Sequence, residues 1–179
     1  IEVVSSDVTT CTFTNIKLPK LTVTKIVNND NGGTRTVSSF PLFIDGNPVT
    51  SGSAKTLSVG THTVSETTDS NYAQSFSGDC DSNGSITLQA GDVKSCTITN
   101  SDIAPTLTLV KKVVNDNGGK AKANAWTLSA TGTERGFSGE GSQDGSENKA
   151  VLGPKDVKAG IEYTLGESGP SGYTASDWV

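Results

Sequence analysis

Residues Leu21–Gly33 read LTVTKIVNNDNGG, and residues Leu107–Gly119 read LTLVKKVVNDNGG. Two near-identical stretches so far apart make the chain a tandem repeat, so its fold must be small enough to be built twice. With 179 residues in all, each copy has room for one thin domain. After the first copy come TVSSFPLFI, the turn DGNP (Asp45–Pro48), AKTLSVG, THTVSE, NYAQSFSGDC, SITLQAG and VKSCTITN. Each run is short, rich in Val, Ile, Thr, Tyr or Phe, and bounded by Gly, Asn, Asp or Pro, which is the pattern of strands between turns. About seven such strands make a β-sandwich. Hydrophobic residues are 32% of the chain, aromatics 6%, and glycines number 20, a balance that suits thin sheets with frequent turns. No segment carries a sustained 3.6-residue apolar period. The sequence therefore predicts an all-β chain of tandem antiparallel Greek-key β-sandwich domains with essentially no helix.

The second copy follows the first and then stops. EYTLGESGPSGY (Glu162–Tyr173) matches THTVSETTDSNY (Thr61–Tyr72), but the chain ends at TASDWV without a second C…SITL…CTITN. That ending stands at the other end, where IEVVSSDVTTCTFTN (Ile1–Asn15) aligns with ITLQAGDVKSCTITN (Ile86–Asn100). The expected division is three-part. Residues 1–15 are the final strands of a preceding or neighbouring sandwich, residues 17–103 a complete sandwich, and residues 104–179 a second one lacking its final strands. Either the chain is a window on a longer array, or residues 1–15 complete a neighbouring copy by strand addition.

The cysteines follow the same frame. Cys80 and Cys96 flank one hairpin-like segment of the complete repeat, where a bridge stabilises by about 3 kcal/mol through loop closure. Cys11 aligns with Cys96, so its partner is expected outside the chain; the other reading is a free buried thiol. A disulfide at a regular position points to an extracytoplasmic compartment.

Each repeat also sets polar residues on apolar faces. Strand side chains alternate, so Leu21, Val23, Lys25 and Val27 share one face, as do Leu107, Leu109, Lys111 and Val113. Glu66 shares a face with Val64, and Glu167 with Tyr163 and Leu165. Asn100 shares one with Cys96 and Ile98, and Asn15 with Cys11 and Phe13. A lysine stripped of water tends to lose its proton and become a nucleophile. A carboxyl in an apolar site stays protonated and polarises a carboxamide. Attack on the asparagine would expel ammonia and leave a Lys–Asn isopeptide bond. The alternative is a buried Lys–Glu ion pair, with the asparagine capping a strand end.

The strand-one lysines of LTVTK and LTLVK, the box YTLGESGPSGY and the terminal TITN resemble the collagen-adhesin B-type family (prealbumin-like, SpaA-like) of bacterial pilins and surface proteins. The resemblance implies an Ig-like, prealbumin-like sandwich on the bacterial cell surface or in a secreted filament. It implies an isopeptide set of Lys25, Glu66 and Asn100. It implies a second set of Lys111 and Glu167 whose asparagine lies outside that repeat, and it makes Asn15 the asparagine of a preceding set. Two departures stand out. The first box, HTVSETTDSNY, lacks the proline and glycine of the second, and a disulfide lies near the expected crosslink.

Other activities find little support. No Ser/His/Asp set, phosphate loop or catalytic carboxylate pair can be assembled, so no enzyme and no cofactor is expected. NDNGG at Asn29–Gly33 and Asn115–Gly119 has oxygens for Ca²⁺, but it reads better as a tight turn, and no metal is expected. Net charge is −5 with no basic run, which disfavours nucleic acid. No apolar stretch reaches the ~18 residues of a membrane span. The expected partners are head-to-tail copies of the same repeat or subunit. The competing reading is an adhesin, for which Trp126 and Trp178 of the second copy are the available aromatics; AWTLSA alternates like a strand, so Trp126 reads as core.

Overall fold

Alternation of apolar and polar residues turns into alternating burial along nearly every strand. The computed structural model describes residues 2, 4–6, 8 and 10–179. The chain divides into two units, residues 1–26, 37–69 and 74–100, and residues 27–36, 70–73 and 101–179. It is all-β; the helical content among the described residues is two three-residue 3-10 turns, Val37–Ser39 and Ala123–Ala125.

The first repeat is built from β1 (Lys20–Asn28), β2 (Leu42–Ile44), β3 (Asn47–Val49), β4 (Ala54–Thr56), β5 (Gly60–Glu66), β6 (Tyr72–Gly78), β7 (Ser85–Leu88) and β8 (Val93–Asp102). One sheet has the order β4-β1-β8-β6 and the other β3-β2-β5-β7. Leu21 and Val23 of β1, Leu42 and Ile44 of β2, Val64 of β5, Ile86 and Leu88 of β7 and Ile98 of β8 meet between them. Asp45 and Gly46 join β2 to β3, both with positive φ (51° and 76°), which matches the right-handed twist of a two-residue hairpin. The sheets are otherwise antiparallel, but β1 and β8 run in the same direction. Lys20 N–H donates to Asp92 O at 2.8 Å, and further along Asn28 Nδ2 donates to Ser101 Oγ at 3.4 Å.

The second repeat contains β9 (Thr106–Lys112), β10 (Thr127–Thr131), β11 (Phe137–Glu140), β12 (Ser142–Gln143), β13 (Lys149–Asp156) and β14 (Thr164–Ser168). Its sheets are β12-β13-β9 and β11-β10-β14. The correspondence is direct: β10 lies between β11 and β14 as β2 lies between β3 and β5, and β9 pairs β13 as β1 pairs β4. Leu109, Val113, Trp126, Leu128, Ala130, Ala150 and Leu152 form the core. The stretch after Tyr173, counterpart of β6, carries no strand. In the first repeat β6 pairs only with β8, so this stretch has no ladder to join.

Of the strand-like run at 1–15, residues 1, 3, 7 and 9 lie outside the described residues, and the described ones are exposed and form no strand. No helix among the described residues is long and apolar enough to cross a membrane.

Candidate functional site

Lys25 sits mid-strand on the inward face of β1, and Glu66 ends β5 in the opposite sheet, where Leu42 pairs with it across the ladder. The two side chains meet inside the sandwich. Lys25 Nζ is 2.9 Å from Glu66 Oε2, and both side chains are 0% exposed. Nζ also donates to Ile98 O of β8 at 3.5 Å and stands 4.8 Å from the centre of the Phe40 ring. Asn100, the next inward position after Ile98, is buried as well. Burial pushes the Lys25 pKa down from 10.5, against the opposing pull of the Glu66 carboxylate. Glu66 Oε1, Glu66 Oε2 and Asn100 Oδ1 are buried with no hydrogen-bond partner among the described residues, Oε2 facing Lys25 Nζ as an ion pair only. Unpaired buried polar atoms are costly, so three in one place call for a chemical explanation.

The second repeat builds the same pair. Lys111 Nζ lies 2.8 and 2.7 Å from Glu167 Oε1 and Oε2, and 4.8 Å from the Trp126 ring centre. Leu128 pairs with Glu167 as Leu42 pairs with Glu66. The difference is access: the Lys111 and Glu167 side chains are 15% and 19% exposed, and they border a groove with Val110, Trp178 and Val179.

Both repeats match the family profile described as a prealbumin-like fold domain, over residues 17–98 and 102–179. The chain belongs to the SpaA-type prealbumin-like family. Domains of this family are those of bacterial pilins and surface proteins, structural or adhesive rather than catalytic in type. No curated protein matches the chain.

In these SpaA-type domains the structure brings together Lys25 and Glu66, with Asn100 on the adjoining strand, and separately Lys111 and Glu167. Asn15 lies in the exposed N-terminal segment. Cys80 and Cys96 are joined by a disulfide with Cα atoms 5.4 Å apart, and Cys11 is a free thiol, exposed rather than buried. Trp126 is buried in the core. Among the described residues no cluster of three His, Cys, Asp or Glu side chains is placed to hold a metal.

Two features of the SpaA-type domains escaped the sequence reading. The first is the aromatic lid on each lysine, Phe40 and Trp126. The signal was available, because FPLFI aligns with WTLSA, putting an aromatic two residues before a paired leucine in both copies. The second is Asp102, two residues beyond Asn100. Its carboxylate accepts N–H bonds from Asn31 (2.9 Å) and Gly33 (2.6 Å) and clamps the NDNGG turn. Burial alone would raise the Asp102 pKa, but these bonds outweigh it and hold the carboxyl below its ordinary value. The tyrosines closing the two boxes do parallel work. Tyr72 Oη donates to Asn29 Oδ1 at 2.6 Å, and Tyr173 Oη to Asn115 Oδ1 at 2.7 Å.

Proposed function

We propose that the chain is a structural segment of an extracellular bacterial stalk, fibre or filament shaft, whose domains are rigidified by a disulfide and by Lys–Asn isopeptide bonds. The observation that carries this reading is the fully enclosed Lys25–Glu66 pair beside a buried asparagine whose Oδ1 has no hydrogen-bond partner among the described residues. An ion pair there must offset the desolvation of both charges with few further hydrogen bonds. Transfer of one proton from Lys25 Nζ to Glu66 removes both charges at once. The neutral amine then attacks Cγ of Asn100, and the Glu66 O–H polarises the carboxamide oxygen. A bond forms between Nζ and Cγ, the Cγ–Nδ2 bond breaks, and the nitrogen leaves as ammonia, taking up the proton shed by the amine. Holding the groups in place supplies what an external enzyme would otherwise provide, and the Phe40 ring keeps water from the amine. Because β1 and β8 are parallel neighbours, the bond would join the first strand to the last, and tension on the ends would pass directly between them.

The test is the intact mass of the 179-residue chain under reducing conditions. A mass short by one ammonia, mapped to a joined Lys25–Asn100 peptide, supports the proposal, and Lys25→Ala and Glu66→Ala should each restore the full mass. A full mass in the unaltered chain would reduce the site to an ion pair. It would favour the second reading, an adhesin module, whose support is the 41% exposed Trp178 beside a groove.

A further inference from the structure

Side-chain burial alone tells β8 only weakly which way to face. Its inward residues are Cys96, Ile98, Asn100 and Asp102, and its outward ones include Ser95, Thr97, Thr99 and Ser101. A slip of one residue exchanges the two sets. The slipped strand would bury Thr97 and Thr99, β-branched residues that suit a sheet interior, and would return Asn100 to water. Burial of Asn100 is costly, because its Oδ1 has no hydrogen-bond partner among the described residues. The apolar burial that opposes the slip comes from Cys96 and Ile98. Two pins therefore matter, one on either side of Asn100. Beyond it, the Asp102 carboxylate holds the Asn31 and Gly33 N–H groups. Before it, Cys96 is bridged to Cys80, which follows β6, the neighbour of β8 in the sheet. Asp79 N–H also donates to Ser95 O, and Ser95 N–H to Asp79 Oδ2, both at 2.8 Å. Asp79 is exposed, so water competes for these bonds. The bridge is the covalent pin: Cys96 cannot turn outward and stay joined to the buried Cys80.

We propose that the Cys80–Cys96 disulfide is a redox gate on the crosslink: it forms first, fixes β8 with Asn100 inward, and only then does Lys25 bond to Asn100. This rests on the isopeptide chemistry proposed above for Lys25, Glu66 and Asn100. The two thiols reach the bridge by exchange with a disulfide of the medium, which takes up their two electrons and two protons and leaves as two thiols. In reducing surroundings Cys80 and Cys96 stay thiols, β8 samples the slipped register, and Asn100 spends little time beside the Lys25 amine. In oxidising surroundings the bridge closes, Nζ meets Cγ of Asn100, and ammonia leaves. The order suits the extracellular role proposed above. A Lys25–Asn100 bond closes residues 25–100 into a ring that no thiol reopens, and such a ring cannot be threaded as one extended chain. Thiol control postpones the irreversible step until the chain has left the reducing compartment.

The experiment makes the 179-residue chain by cell-free synthesis in dithiothreitol and then moves half of it into oxidised glutathione. Ammonia loss is followed over time by intact mass, each sample being reduced just before it is read. In oxidised glutathione the mass falls by one ammonia, mapped to a joined Lys25–Asn100 peptide. In dithiothreitol the loss is slower by at least about tenfold. The double variant Cys80→Ala, Cys96→Ala stays slow in both media, whereas Cys11→Ala responds like the unaltered chain. Hydrogen exchange on the reduced chain shows β2 and β5 still protected and β8 exchanging faster than in the bridged chain. Equal rates of ammonia loss in the two media overturn the gate and leave the crosslink standing. Ammonia loss in neither medium overturns the crosslinking chemistry and the gate with it. Loss of protection throughout β2 and β5 on reduction overturns the gate as a device of register, because the bridge would then be needed by the whole domain.

Discussion

His62 is the only histidine in the chain, and both its ring nitrogens are engaged: Nδ1 with Asp45 Oδ2 at 2.6 Å and Nε2 with Ser58 O at 3.0 Å. A carbonyl and a carboxylate both accept, so the ring fits best as a doubly protonated imidazolium. The Asp45 bond, then the Ser58 bond, raise its pKa above 6.5, while His62 and the Thr63 N–H hold the Asp45 carboxyl below its ordinary 3.8. The sign follows from linkage. The histidine's contribution to stability is fully present below 6.5 and is lost as pH rises through the higher folded value. The aspartate's is present above 3.8 and is lost as pH falls through the lower folded value. Melting temperature should therefore decline as pH climbs past neutrality, and His62→Gln should flatten that decline. An unchanged slope in the variant would remove His62 as its cause. None of this pairing was legible in the sequence, because Asp45 reads as a turn residue and His62 as a strand residue, and only the fold brings them together. The lysines were legible, because a charge repeated at one register of an apolar strand has few readings.

At the level of elements, β8 is the strand on which most of the first domain converges. It carries one end of the disulfide, the asparagine of the candidate crosslink and the aspartate that clamps the turn after β1. Replacing Asp102 with alanine would leave the Asn31 and Gly33 N–H groups without their acceptor, at about 1–3 kcal/mol. The expected outcome is a lower denaturant midpoint with an unchanged m-value, and an unchanged midpoint would show that water replaces the carboxylate. Strand existence and the inward faces of β1, β5 and β8 could be read from period-two alternation. The run TVSSFPLFI could not: it reads as one strand, yet Val37–Ser39 form a 3-10 turn and β2 starts only at Leu42. Pro41 has no N–H to give a ladder, and Ser38 and Ser39 favour local turns over pairing, so the strand begins late and Phe40 is freed to cover Lys25. Asp102 stayed hidden for a related reason: its role depends on a turn distant in sequence that comes to lie beside the end of β8.

Taken whole, the chain repeats one domain plan in two states, one with its lysine–glutamate pair enclosed and one with the pair beside a groove. The frame of the repeat was plain in the sequence, including which residues of the second copy correspond to which of the first. The difference in access between the two pairs was not, since it depends on side chains meeting across two sheets. The disulfide has a consequence of its own at this scale. Cys80 and Cys96 close a loop containing the exposed residues 81–83, and a bond between Lys25 and Asn100 would close a wider loop around it. A protease that cuts once at residues 81–83 thus severs the backbone inside two nested rings. The nicked chain should stay one molecule on a denaturing gel even with reductant, and the nicked Lys25→Ala variant should fall into two pieces only when reductant is added. Separation of the unaltered chain under reductant would leave the disulfide as the only ring. Nested rings would make a single backbone break in that stretch survivable, so losing a piece of the domain would take more than one cut.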